Sequence, residues 1–231
     1  MEKDIIRPMK YPPELAADYS QKRGQFNETD KALVSALESV GVQDKEIVDL
    51  GCGDGLHARL IKEMGAAHVT GVDVNEKMIE LAKEKGAEDP DVEFFVADGR
   101  NLPVEDDSAD IVVSNFVVHY FPDAKEIFSE ISRVLKHGGY FIGTFNITDV
   151  DEGFEHLHNQ PMPIRLGHGE HSIVVQNLIK SRQEIQAAIA ESGLTIKEER
   201  ELDHPNSTVD DSFPDKSRVQ KHAVMIVIQK S

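Results

Sequence analysis

IVDLGCGDG, residues 47–55, is the stretch on which the reading of this chain turns. A short β-branched run ends around an acidic residue, Asp49, and glycine then stands at every second position, Gly51, Gly53 and Gly55. Runs of this kind suit a strand covered on both faces. Glycine lets the chain that follows turn tightly and lets its backbone come close to a ligand. A dinucleotide fingerprint has the spacing Gly-x-Gly-x-x-Gly. Here position 56 is leucine, so the spacing argues against a nicotinamide dinucleotide.

Downstream, Asp73 falls 18 positions after Gly55, at the end of the next strand candidate. A carboxylate there can accept both hydroxyls of a ribose. Strand candidates at 47–50, 68–73, 92–97, 111–115 and 140–146 alternate with helix candidates at 56–64, 76–85 and 124–135, the pattern of βαβ units in a parallel sheet. A helix spanning 27–41, with Leu33, Leu37 and Val40 at helical spacing, precedes them, and 13–23 reads as another short helix. After residue 180, Ser181 with Glu184 opens a helix, Gly193 ends it, and strands at 194–199 and 222–228 bring the expected total to seven. The interruption at 148–180 is too long for an ordinary loop and is expected to be an insertion or cap over a substrate.

The composition narrows the function classes. Twenty-five basic against 42 acidic residues give a net charge of −17, which repels phosphate backbones and disfavours nucleic acid as a partner. The single cysteine, Cys52, excludes an intramolecular disulfide and fits a reducing, cytoplasmic setting. The first ten residues lack the continuous apolar stretch of a signal peptide or membrane span, so no membrane association is expected. Composition leaves the oligomeric state open.

Four stretches together carry a resemblance: IVDLGCGDG, then VTGVDVNEKMIELA at 69–82, VADGRNLPVEDDSADIVVSN at 96–115 and RVLKHGGYFIGTF at 133–145. With them the chain resembles the class I S-adenosylmethionine-dependent methyltransferases, in particular the small-molecule, methyltransferase-11-like group. The resemblance covers about 19–148. It implies an α/β, Rossmann-like domain over residues 1–231: a seven-stranded sheet of order 3-2-1-4-5-7-6 with the last strand antiparallel. Helices would cover both faces, N-terminal helices would occupy 12–41, and an insertion would follow the fifth strand. The implied cofactor is S-adenosyl-L-methionine, the product S-adenosyl-L-homocysteine, and the acceptor an unidentified small molecule. A tRNA or protein acceptor, or a noncatalytic module that only binds the cofactor, are the alternatives.

Position by position, the resemblance implies that Gly51, Cys52 and Gly53 line the methionine and ribose of the cofactor while Asp49 supports its amino group. Asp73 would hold the ribose diol, Val74 and Met78 would pack on adenine, and Asp98 would accept from the exocyclic amine with Gly99 and Arg100 bordering the ring. Asn115 would meet the methionine amine through its backbone, and Tyr19 and Arg23 would reach the cofactor carboxylate.

His119, just beyond the fourth strand, is the candidate general base, since an imidazole is largely neutral at cytoplasmic pH. His158, Arg165 and His168 are the polar acceptor contacts that the insertion offers. His156 with His158 and His168 with His171 lack the helical His-x-x-x-His spacing and any cysteine partner, so no metal site is expected. Cys52 sits inside the glycine turn without an identified base and reads as packing rather than as a nucleophile.

Overall fold

The computed structural model describes residues 27–86, 89–166, 173–202 and 207–231. The first helix, α1 (Glu28–Val40), is started by a reciprocal cap: the Asn27 side chain accepts from the Thr29 and Asp30 amides, and the Asp30 carboxylate accepts from the Asn27 amide. This satisfies backbone donors that a helix end leaves without partners. The alternating part of the chain then runs β1 (Glu46–Leu50), α2 (Leu56–Glu63), β2 (His68–Asp73), α3 (Glu76–Gly86), β3 (Val92–Val96), β4 (Ala109–Asn115), α4 (Ala124–Val134) and β5 (Leu135–Val150). A 3-10 turn, Val118–Tyr120, sits between β4 and α4.

After β5 come β6 (Pro161–Leu166), β7 (Ile173–Leu178), α5 (Arg182–Glu191), β8 (Leu194–Leu202), β9 (Ser207–Val209) and β10 (Val219–Lys230). Among the described residues seven strands form one sheet, ordered β3-β2-β1-β4-β5-β10-β8, and three form a second, ordered β7-β6-β9. Counting only the large sheet, its strands stand in chain order 3-2-1-4-5-7-6, as the resemblance implied. β10 runs antiparallel to both β5 and β8, and the other pairs are parallel.

The two faces of the large sheet bury different layers. Val48, Leu50, Val112, Phe141, Phe145, Val224 and Ile226 meet Phe128 and Ile131 of α4 and Ile185 and Ile189 of α5. The alternate residues Ile47, Val69, Ile111, Val113, Ile142 and Met225 meet Leu33 and Leu37 of α1, Ile61 of α2 and Ile79 of α3. Side chains alternate along a strand, so each strand serves both layers. Each fully buried Leu or Ile contributes about 1.5–3 kcal/mol relative to exposure.

The second sheet is the main departure from expectation. β5 continues to Val150 instead of ending near 146, and the interruption becomes a β-hairpin, β6–β7, joined by β9 from between β8 and β10. Pro161 and Pro163 made β6 read as loop, because proline lacks the N–H a ladder needs. They are tolerated because β9 pairs only with Ile164, Arg165 and Leu166, beyond both prolines. Leu157, Met162, Ile164, Ile179, Val209 and Phe213 give this sheet a small core of its own. Among the described residues no helix is long and apolar enough to cross a membrane.

Candidate active site

The crevice lies at the C-terminal ends of β1, β2, β3 and β4, where strand order reverses between β1 and β4, the usual place for a ligand in an open α/β sheet. The chain leaves β1 through Gly51 (φ +76°), Gly53 (φ +55°) and Gly55 (φ +76°). All three positions lie in the left-handed region that glycine enters without a side-chain clash. Gly51 is also needed for close approach, since a Cβ there would fall 2.1 Å from Val117 Cγ2. The Gly51 and Cys52 amides donate to the Val72 carbonyl at 2.7 and 3.0 Å, which keeps the turn laced to the end of β2.

That lacing brings the two sequence signals together. Asp73 Oδ2 accepts from the Gly53 amide at 3.0 Å, and Oδ1 accepts from the Asn75 amide at 2.8 Å. Asn75 in turn caps α3 through the Lys77 and Met78 amides. An ionised carboxylate offers about four acceptor directions, which leaves room for a diol. Burial pushes the Asp73 carboxyl above the usual range, and the amide donors of Asn75, Gly53 and Val74 pull the other way. Met78 is buried at the start of α3, Val74 is half-buried before it, and Asp49 is buried in β1.

Asp98 and Arg100 follow β3 and grip each other. Arg100 donates from Nε to Asp98 Oδ1 at 3.0 Å and from a terminal nitrogen to Oδ2 at 2.6 Å, and its amide adds a bond to Oδ1 at 2.9 Å. The guanidinium holds the Asp98 carboxyl below its usual range, so the group stays an ionised acceptor. Gly99 between them is buried, and a Cβ there would meet Leu50 Cδ1 at 2.7 Å.

At the end of β4 the Asn115 side chain turns inward. Its amide nitrogen donates to Asp30 Oδ1 at 3.2 Å, and its oxygen accepts a short hydrogen bond from the Thr144 hydroxyl. Asp30 and His57, both buried, meet at 2.9 Å. The side chain is therefore spent on positioning the end of β4 against α1 and β5. Sequence reading missed Asp30 and His57: an aspartate and a histidine on separate helices give no local pattern.

Residues 48–143 match the family model for the methyltransferase domain. This stretch runs from β1 into β5 of the large sheet and is similar to a methyltransferase domain. Mouse (Mus musculus) arsenite methyltransferase is 36% identical over 128 residues, which cover 48% of this chain and 34% of that protein. Sterol 24-C-methyltransferase of Gibberella zeae is 34% identical over 173 residues, 73% of this chain and 44% of that one. The chain thus spans less than half the length of either curated relative. The structure of an S-adenosylmethionine-dependent methyltransferase from Mesorhizobium loti superposes with a TM-score of 0.63 at 22% identity, covering 88% of this chain and 98% of that one, a likeness of fold. S-adenosylmethionine is the cofactor of this class. The Asp73–Gly53 bond, the Asp98 acceptor and the inward-turned Asn115 are arrangements that fit it.

His119 follows β4 within the matched segment and meets β5. His119 is 1% exposed, in the 3-10 turn beyond β4, and its Nδ1 accepts from the Asn146 amide of β5 at 3.3 Å. The ring lies against Tyr120 with centroids 4.4 Å apart. Cys52 is 2% exposed, and burial together with the Asp49 and Asp73 charges pushes its thiol well up, so it carries no thiolate.

In the second sheet, β7 packs on the 3-10 turn that carries His119. Lys180, fully buried, fastens it there by donating to the Pro122 carbonyl at 2.5 Å, to Glu184 Oε1 at 2.7 Å and to the Asn159 side chain. Of the proposed acceptor contacts, Arg165 pairs with Asp210 at 2.5 Å within the small sheet, and His158 is half-buried after the 3-10 turn Glu155–Leu157. Tyr19, Arg23 and His168 lie outside the described residues.

Proposed function

We propose that this protein transfers the methyl group of S-adenosylmethionine to a small-molecule acceptor held between the C-terminal edge of the large sheet and the three-stranded sheet. The observation that carries the reading is the bond from the Gly53 amide to Asp73, which joins the backbone turn to the ribose acceptor within a methyltransferase-domain segment. The arsenite and sterol substrates in the relatives' names support a small acceptor over a polymer, as does the charge of −17.

The cofactor supplies an activated methyl, and the protein's contribution is alignment in a water-poor crevice. Gly51, Cys52 and Gly53 line the methionine and ribose side, with Asp49 behind them. Val74, Met78, Gly99 and Arg100 surround the adenine, whose amine Asp98 accepts. Tyr19 and Arg23 complete the carboxylate end. His119 orients the acceptor: with Nδ1 accepting from Asn146, the neutral ring carries its proton on Nε2 and donates a hydrogen bond. In this reading the expected general base becomes a donor. The small sheet, with Arg165 on β6, is the acceptor's cap and belongs to the same single domain, and His158 and His168 are the further candidate contacts.

Calorimetry with S-adenosylmethionine tests the cofactor, and a metabolite panel read by S-adenosylhomocysteine release tests turnover. Asp73→Ala removes charge-assisted bonds to two hydroxyls and is expected to weaken cofactor binding by about 1.5–3 kcal/mol. Unchanged affinity in that variant would sink the assignment.

A further inference from the structure

The sheet face under α1 is apolar at Ile111, Val113, Ile142 and Met225. Towards the C-terminal edge of β4 and β5 the same inward positions turn polar, as Asn115, Thr144, Asn146 and Thr148. Thr144, Asn146 and Thr148 are all buried. On β10 the register pairs Met225 with Thr144, Ala223 with Asn146 and Lys221 with Thr148, so Lys221 ends this row on the same face.

Two contacts tie Lys221 to His119. Its Nζ lies 3.4 Å from Asn146 Oδ1, and the amide of the same asparagine donates to His119 Nδ1. Beside it, the hydroxyl of Thr148 is 1% exposed and has no hydrogen-bond partner among the described residues. A buried hydroxyl without a partner is costly, and a ligand oxygen is one way to satisfy it.

We infer that Lys221, Thr148 and Asn146 form the anchoring site for the methyl acceptor, and that the acceptor presents an acidic oxygen, a carboxylate or a phosphate, to the Lys221 ammonium. The inference rests on the methyltransferase reading and adds the chemical class of its acceptor. Burial brings the Lys221 pKa down to about 8, so an anion that joins it regains what desolvation removed. The groups around it fit that role. Among the described residues, Asn146 and Thr148 of β5 stand beside it, His119 meets the same Asn146, Asp30 of α1 is engaged by His57 and Asn115, and Leu202 of β8 stands opposite Ala223. His222, the next residue on β10, points to the opposite face, where it meets Asp149 at 3.1 Å and Glu201 at 3.6 Å. A half-buried cation also offsets locally the repulsion that a chain of charge −17 exerts on an anionic acceptor.

The test uses the full chain with lysines labelled at the ε-carbon, titrated by NMR with and without S-adenosylhomocysteine, and with benzoate or inorganic phosphate as probe. One probe is expected to raise the Lys221 pKa by about a unit or more. Its binding should weaken by about tenfold or more in Lys221→Met and recover to within a few-fold in Lys221→Arg, because the charge is what binds. A response to benzoate assigns a carboxylate acceptor, and a response to phosphate assigns a phosphorylated one. Titration of Lys221 unmoved by either probe, or probe binding undiminished in Lys221→Met, overturns the inference. The S-adenosylhomocysteine isotherm is read separately, and its absence overturns the cofactor reading whatever Lys221 does. Should Lys221→Met fail to fold, the wild-type titration and Lys221→Arg still decide.

Discussion

In the proposed cofactor crevice, residues 49–73 contribute backbone amides and two aspartates, with Asp98 added from beyond β3, whereas on the proposed acceptor side the groups are side chains drawn from His119, Asn146, Thr148 and Lys221. The first region is held by ladder hydrogen bonds and left-handed glycines. The second is held by buried polar pairs, among them Asp30 with His57 and Lys180 with Glu184. A site made of backbone is fixed once its strands pair, and one made of side chains depends on distant residues being packed. If the difference is real, substitutions in one region should leave the other nearly untouched.

The largest effect is expected from Gly51→Ala. Its Cβ would press on Val117, and φ would be held at +76°, costing about 3 kcal/mol of stability from strain and clash together. Cofactor affinity should fall by about a hundredfold or more, since the amides that face the ligand move with the turn. Adding Val117→Ala removes the clash but not the left-handed strain, so chemical denaturation should show partial recovery. Full wild-type stability in the single variant would mean that the turn is not the rigid element described here.

Lys180→Met probes the other region. It removes a buried ammonium from three oxygen acceptors and should cost about 3 kcal/mol in urea unfolding. S-adenosylhomocysteine affinity should stay within about twofold, because additivity holds for sites without shared partners. A comparable loss of cofactor affinity would show that the small sheet and the crevice are one mechanical unit. His119→Ala should lower turnover by about tenfold, the worth of one well-placed hydrogen bond, with cofactor binding unchanged. A loss of a thousandfold or more would restore the base role instead.

The same contrast explains what could be read from the sequence. Asp49, the alternate glycines and Asp73 act through spacing along 49–73, and a spacing is visible in a string of letters. The alternation of strands and helices pointed to a parallel α/β sheet, and the order of its strands came from the resemblance. The second sheet did not, because Pro161 and Pro163 suppress the strand signal in β6 and β9 is only three residues long. Lys221 was missed for a related reason. The apolar pattern places the last strand at 222–228, but pairing with the extended β5 carries it from Val219 to Lys230. Thr148, taken as the first residue of the insertion, is strand for the same reason. Asp30 and His57 stand 27 residues apart, and only folding brings them together.

The smallest effect is a pH dependence that should carry opposite signs for folding and for cofactor binding, and it originates at Asp73. Burial raises the carboxyl in the folded protein above its value in the unfolded chain, so folding favours the protonated form. The stability that Asp73 contributes is therefore complete below the ordinary aspartate range and is lost as pH rises through the raised folded value. Cofactor binding has the reverse preference, because an ionised carboxylate accepts from both ribose hydroxyls and a protonated one cannot do so fully. Affinity for S-adenosylhomocysteine should accordingly hold steady at neutral pH and fall by a few-fold as pH drops through that raised value, by the energy of one charge-assisted bond. Over the same interval the melting temperature of the ligand-free protein should rise relative to Asp73→Asn, which has no proton to exchange. Calorimetry and thermal melts on the two proteins across the acid range measure both slopes. If the two slopes share a sign, Asp73 is a structural carboxylate of the β2 terminus and the ribose is held elsewhere.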